Sequence, residues 1–215
     1  SQVKELRERT GAGMMDCRKA LVETEGNIDE AVEVLRKAGA AKAAKKAGRV
    51  AAEGLVDAEI MADGTAVLVE VNCETDFVAR NESFRTFVSN IKTTVAEDGA
   101  KDVAAKVDTQ RTELVATIGE NINVRRAERF ASDSSNFAYV HPGNRIAVIL
   151  KLEGGDGSAA VTSFGKDLCF HIAAMNPLCT SPDDVPTDVI EQEKRIAREQ
   201  LMAEGKPEAM IDKII

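Results

Sequence analysis

Apolar positions along this chain recur with two different periods, and the change from one to the other divides it. Over residues 1–39 the spacing is helical: Val3 with Leu6, then Cys17 with Ala20 and Leu21, then Ile28, Ala31, Val32 and Leu35. Thr10-Gly11-Ala12-Gly13 and Gly26-Asn27 interrupt that spacing, so three short helices are predicted. Asn27, with Glu30 three positions on, has the form of a capping box, and Gly39 suits a helix end. A bundle this small has a marginal core and needs support from elsewhere. Residues 40–53 are rich in Ala and carry Lys42, Lys45, Lys46 and Arg49, which predicts a solvated helical linker.

Beyond the linker the period shortens to two. Leu55–Met61 and Ala66–Asn72 flank Ala62-Asp63-Gly64-Thr65, where Asp-Gly signals a type I′ hairpin. A helix follows, with Phe84, Phe87, Val88, Ile91 and Val95 on one face. The same order returns later as Phe137–Val140, the break His141-Pro142-Gly143-Asn144, Ile146–Leu152 and a helix near Ala160–Ala174. We read this as a diverged duplication of a strand–strand–helix unit. Between the copies, Thr109–Ile118 is predicted helical and Asn121–Phe130 a connecting strand. From Pro182 onward, Val189, Ile190, Ile196, Ala197 and Leu201 line another helix, and Gly205-Lys206-Pro207 stops it. Met210, Ile211, Ile214 and Ile215 begin a helix that should return antiparallel. The chain ends in mid-pattern on two isoleucines, so a C-terminally truncated chain is expected. The fold class is therefore α+β: a three-helix (UBA-like) module over 1–39, a linker over 40–53, core subdomains over 54–135 and 136–181, and the start of a helical hairpin arm over 182–215.

Composition narrows the functional classes. Of the 215 residues 44% are hydrophobic, enough for real cores, but only 4% are aromatic, so those cores rest on Ala, Val, Ile and Leu. A net charge of −8 argues against a general nucleic-acid binder. Cys17, Cys73, Cys169 and Cys179 form no Cys-x-x-Cys pair, which fits neither a zinc ribbon nor a redox dithiol. With no signal-like segment and no apolar run of membrane length, reduced thiols in a cytoplasmic protein are expected. His141 and His171 stand at unrelated positions, and no nucleophile elbow, phosphate loop or zinc-helix motif occurs. Cys73, Glu74 and Asp76 are near neighbours, but strand alternation turns them apart, so neither a metal nor a cofactor is expected.

The most informative run is Glu70-Val-Asn-Cys-Glu-Thr-Asp-Phe-Val-Ala-Arg80. An alternating strand, with Val67, Val69 and Val71 on one face, leads through Thr75-Asp76-Phe77-Val78 into a helix. A carboxylate and an aromatic ring thus stand side by side at a strand-to-helix corner. Either the corner presents both to a partner, or it is a plain cap, with Thr75 or Asp76 capping and Phe77 in the core. The second copy of the unit has Gly154-Gly155-Asp156-Gly157 at this place, so the fold itself does not require Asp76 and Phe77. Met14 and Met15 pose a similar question. Adjacent helical residues point about 100° apart, so both cannot face the small core. One is exposed as a flexible apolar contact, or both are half-buried.

The run Glu70–Arg80 resembles a signature of the elongation factor Ts family, the guanine-nucleotide exchange factors of bacterial translation. Leu6-Arg-Glu-Arg-Thr-Gly-Ala-Gly-Met-Met-Asp-Cys-Arg-Lys-Ala-Leu21 is similar to that family's N-terminal module. Ile118-Gly-Glu-Asn-Ile-Asn-Val-Arg-Arg126 and His141 match more loosely, and together the resemblance covers nearly the whole chain in order. It implies elongation factor Tu as the partner and no bond chemistry by this chain. Thr75, Asp76, Phe77 and Val78 would push into that partner and disturb its magnesium site. Arg7, Met14 and Met15 would grip its nucleotide-binding domain. Ile118, Gly119, Asn121 and His141 would add weaker contacts from the core. The resemblance also implies a longer arm and a C-terminal module. Some RNA phages recruit this family with elongation factor Tu into their replicases, which implies a second assembly the chain could join. Direct nucleic-acid contact and membrane association are not expected. Two rival readings are a helper that binds RNA or the ribosome through residues 36–49, and a peptide- or ubiquitin-type recognition module, which leaves the duplicated core idle.

Overall fold

Three helices, α1 (Gln2–Thr10), α2 (Met14–Glu23) and α3 (Ile28–Lys46), open the computed structural model, which describes residues 1–215. Gly11 ends α1 in the left-handed conformation, φ 65°, with its N–H donating to the Arg7 carbonyl at 2.8 Å. Asn27 starts α3. Its side-chain oxygen accepts from the N–H groups of Asp29 and Glu30, and its amide donates to the Glu30 carboxylate, so the expected capping box closes side chain to side chain. Leu6, Cys17, Ala20, Leu21 and Ala31 form the buried core of this bundle.

The helix end expected at Gly39 is absent. α3 runs on to Lys46, and Gly39 is buried against α7 (Asp108–Ile118), where an added Cβ would lie 3.2 Å from that of Ala116. Glycine here lets two helices approach rather than stopping one. The first part of the expected linker is therefore the end of α3, with Ala43 in the main core. This packing on α7 is the outside support that so small a bundle requires.

β1 (Glu53–Ile60), β2 (Ala66–Cys73) and β3 (Asn123–Phe130) form an antiparallel sheet with β2 in the middle. Ala66, Val67, Val69, Val71 and Cys73 of β2 are buried, as a central strand requires. The β1–β2 turn is not the expected type I′. Gly64 alone in that loop has a positive φ, 88°, while the Asp63 carboxylate accepts from the Thr65 N–H at 2.9 Å and the Thr65 hydroxyl at 3.0 Å. The Gly64 N–H donates to the Met61 carbonyl at 2.9 Å and the Met61 N–H to the Thr65 carbonyl at 2.8 Å, giving a three-residue loop with a left-handed glycine. At the other end of β1, Gly54 has φ 132° and lies so close to β2 that a Cβ would sit 2.1 Å from the Val71 carbonyl oxygen.

A one-turn helix, α4 (Asp76–Ala79), follows β2 and leads into α5 (Glu82–Asp98). All five predicted apolar residues of α5, Phe84, Phe87, Val88, Ile91 and Val95, are buried in the cluster that includes β2. Lys92 of the same helix is also buried, with its ammonium 2.7 Å from both Asp57 and Glu59. Burial disfavours its charge, but the hydrogen bonds it donates to those two carboxylates outweigh this and raise its pKa. The short α6 (Val103–Lys106), which the sequence pattern did not reveal, adds Val103, and Val107 and Val115 complete the core.

The second strand–strand–helix unit is present as expected: β4 (Ser135–Val140), β5 (Ala147–Leu152) and α8 (Ala159–Met175). Its hairpin turn caps the outer edge of β1. The Val56 N–H donates to the Asn144 carbonyl at 2.8 Å, and the Asn144 amide donates to the Val56 carbonyl at 3.2 Å. Gly165 of α8 meets the Phe137 ring so closely that a Cβ would lie 2.4 Å from it.

Chain contacts divide the molecule into residues 1–173 and 174–215, a boundary earlier than the arm expected from residue 182. The second part holds a 3-10 turn at Pro182–Asp184, then α9 (Thr187–Ala203) and α10 (Glu208–Ile214). An ion pair between Arg198 and Asp212 at 2.6 Å ties α10 back to α9. No helix is long and apolar enough to cross a membrane.

Candidate partner-binding corner

Thr75 turns the chain from β2 into α4. Its backbone is extended, φ −128° and ψ 155°, and its hydroxyl oxygen accepts from the Val78 N–H at 3.4 Å. In one helical turn four successive side chains point in four directions. Val78 and Ala79 face inward and are buried, so Asp76 and Phe77 must face out. Phe77 is 81% exposed. The plain-cap reading is thus correct about Thr75 and wrong about Phe77, which lies outside the core. Asp76 pairs with Arg80 one turn on at 3.0 Å, and Asn81 caps α5 by accepting from Ser83 and Phe84.

The corner is held from behind by the loop after α7. Glu120 accepts from the N–H of Glu74 at 3.1 Å, the N–H of Thr75 at 3.0 Å and the Thr75 hydroxyl at 2.6 Å. Glu74 answers by accepting from the Asn121 N–H at 2.6 Å, and Arg49 lies 3.6 Å from the same Glu74 oxygen. The Cys73 thiol donates to the Thr75 carbonyl at 3.1 Å. Burial and, secondarily, the Glu120 charge push its pKa up to about 11, so the thiol stays protonated and keeps that bond.

The loop 118–121 also receives the N-terminal module. Lys46 of α3 donates to the Gly119 carbonyl at 2.5 Å, and the buried Asn121 donates its amide to the Arg49 carbonyl at 2.8 Å. Gly119 is the left-handed cap of α7, and Ile118 packs against the main core. Of the four core residues suggested by resemblance, Ile118, Gly119 and Asn121 are thus engaged within the protein. His141 is exposed at the β4–β5 turn, with its Nδ1 2.8 Å from the Tyr139 hydroxyl. In the module, Arg7, Met14 and Met15 are all exposed, the methionines by 49% and 62%. Met14 and Met15 open α2 beside a buried face of Cys17, Ala20 and Leu21, so neither methionine serves the core. Behind them Lys42 binds Asp16 at 2.8 Å, and that hydrogen bond holds the Asp16 carboxyl below its usual range.

These contacts also bear on the basic stretch. Lys42, Lys46 and Arg49 reach internal partners, Asp16, Gly119 and Glu74, while Arg36, Lys37 and Lys45 stand exposed without an ion pair or side-chain hydrogen bond. Three of the six basic side chains over 36–49 thus serve contacts within the protein, which leaves the RNA-binding reading half of its cations. Glu120 and Glu74 were missed as site residues. They lie 45 to 47 positions from the groups they bind, and no local spacing signals such a clasp.

Fold and site together define an α+β protein whose distinctive chemistry is offered at its surface, as a fixed acid–aromatic corner and a pair of exposed methionines. The family model of elongation factor TS matches residues 74–215. Elongation factor Ts of Alkalilimnicola ehrlichii is 48% identical over 225 residues, covering 100% of this chain and 75% of that protein. Elongation factor Ts of Hahella chejuensis is 50% identical over 220 residues, with the same coverage. Elongation factor Ts of Clostridium perfringens is 49% identical over 225 residues, covering 99% of this chain and 74% of that protein. The chain belongs to the elongation factor Ts family, and it spans about three quarters of the length of these relatives.

Proposed function

We propose that this protein is a guanine-nucleotide exchange factor that binds elongation factor Tu in its GDP form, promotes GDP release and so permits GTP reloading, acting in the cytoplasm. Family membership supports the partner, and the outward Phe77 beside Asp76 is the observation that carries the mechanism. A catalyst of release makes and breaks no covalent bond. It must bind the nucleotide-free partner better than the nucleotide-bound one, and by linkage each ligand weakens the other by the same factor. A 10⁴-fold weakening of GDP requires about 5.5 kcal/mol of differential binding.

Phe77 supplies part of this difference by inserting between partner helices, where burying an aromatic ring gains about 1.5–3 kcal/mol. Asp76 competes for polar groups that support the partner's magnesium ion, and to do so it must leave Arg80. Thr75 and Val78 fix the corner. Arg7, Met14 and Met15 hold the far side of the nucleotide pocket and stabilise the opened form. His141 and the partly exposed Ile118 and Gly119 add weaker contacts from the core, while the buried Asn121 joins module to corner.

The test is release of a fluorescent GDP from purified elongation factor Tu, chased by excess unlabelled nucleotide. Acceleration at substoichiometric amounts of this chain is expected. No acceleration from a folded chain that still binds elongation factor Tu would refute exchange, and absence of binding would refute the partner.

A further inference from the structure

We infer that Glu120 is the positioning residue of the exchange corner: by gathering three donors from Glu74 and Thr75, it sets the direction in which Asp76 and Phe77 are presented. This rests on the corner acting as proposed above. The Thr75 hydroxyl is the group that Glu120 holds most closely. A hydroxyl has one proton and two lone pairs, and its rotor is free unless something claims the proton. Glu120 Oε1 claims it at 2.6 Å. The oxygen is then left to accept from the Val78 N–H at 3.4 Å, the bond that starts α4. Glu120 Oε2 takes the N–H groups of Glu74 and Thr75, the last backbone donors before the helix. One carboxylate thus fixes both the backbone entering the corner and the proton of its cap.

The clasp is reciprocal and anchored. Glu74 accepts from the Asn121 N–H, and Asn121 and Gly119 are in turn held by Arg49 and Lys46. α4 has only four residues and could not hold its own direction in isolation. The exposed ring gains nothing from the core that would hold it either. The second strand–strand–helix unit, which has no such ring, has no such clasp: there Asp156 accepts from the Ser158 N–H two residues on. A contact group that must enter a partner in one orientation needs its supporting shell fixed beforehand, and a displacement of about 1 Å can reduce a rate on the order of 100-fold.

The experiment is a double-mutant cycle on fluorescent GDP release from elongation factor Tu, with Phe77→Ala, Glu120→Ala and the double variant. Both the maximal acceleration and the half-saturating concentration of the chain are read. Glu120→Ala is expected to lower the maximal acceleration by about tenfold or more, with little change in half-saturation, because the N-terminal module still binds. The double variant is expected to be no slower than Phe77→Ala, since Glu120 acts through Phe77. Glu120→Gln should recover part of the rate, and Thr75→Ser should match wild type while Thr75→Val falls towards Glu120→Ala. Full multiplicativity in the double variant, or a normal Glu120→Ala beside a slow Phe77→Ala, overturns the inference. A normal Phe77→Ala overturns the proposed role of the corner itself. Should Glu120→Ala fail to fold, Thr75→Val, which removes only the claimed hydroxyl, decides the same question.

Discussion

The two strand–strand–helix units pass from their second strand to their helix in opposite ways. In the first, Thr75 to Arg80 form a capped helical turn that buries Val78 and Ala79 and turns Phe77 out to 81% exposure. In the second, the step is a turn with Gly154 at φ 74° and Gly157 at φ 70°, and no large side chain stands on it. The helices differ as well. α5 buries Phe84, Phe87, Val88, Ile91 and Val95, whereas α8 buries only Gly165 and Cys169 and leaves Phe164 and Phe170 more than half exposed. The same topology is therefore built once around a core and once around a close backbone approach. Since the second unit folds without an acid–aromatic pair, the corner of the first is not a requirement of the topology. Its exposed ring needs an explanation outside the fold.

Aromatic truncation in the two helices tests this difference most strongly. Phe84→Ala empties a fully buried site and should cost about 3–5 kcal/mol, whereas Phe164→Ala removes a ring that is 57% exposed and should cost within about 0.5 kcal/mol. Urea titration of both variants checks this. Equal losses would mean that α8 is as deeply packed as α5.

Smaller in energy, but decisive for the proposed function, is the corner. Phe77→Ala should slow GDP release from elongation factor Tu by about 10- to 100-fold, the equivalent of about 1.5–3 kcal/mol of ring burial. Its melting temperature should stay near that of wild type, because an exposed ring contributes little to folding. A variant that melts early would return Phe77 to the core. Met15→Glu should weaken binding to nucleotide-free elongation factor Tu by about tenfold, and titration calorimetry gives the value. Unchanged affinity would leave Met15 as an incidental surface residue.

Sequence period located nearly every element of both units, because hydrophobic alternation is a local property. It gave the buried face of α5 residue by residue, and it set the two hairpins and α8 within a few positions. It failed where a residue's role depended on a distant partner. Gly39 has the look of a helix stop, yet it is a contact point for Ala116 of α7. Asp63-Gly64 has the look of a type I′ turn, yet the Asp63 carboxylate prefers the Thr65 N–H and hydroxyl. At the corner the acid–aromatic pair was legible, but its outward direction was not, since that follows from Val78 and Ala79 being drawn inward. The Glu120 clasp was invisible for the same reason: its two halves meet only once α7 and β2 are packed together.

Each unit has one buried thiol, and this pair provides the finest form of the comparison. Cys169 in the second unit has its pKa raised by burial alone. Cys73 in the first is raised by burial from 9.0 to about 11, with the Glu120 and Glu53 charges adding to the rise. The folded state therefore holds the Cys73 proton through a range in which the unfolded chain has lost it. Between pH 9 and 11 the native state binds more protons, so stability is full below about pH 9 and falls as pH rises towards the folded value. For a shift of this size the loss at pH 9.5 is on the order of 1 kcal/mol. Cys73→Ala should remove that part of the alkaline decline in denaturant stability, and Cys169→Ala should remove less. Glu120→Gln should recover some of the decline by taking away the neighbouring charge. An identical alkaline slope in wild type and Cys73→Ala would mean that the thiol at the corner is not held protonated against the Glu120 carboxylate, and that the two units do not differ in this respect.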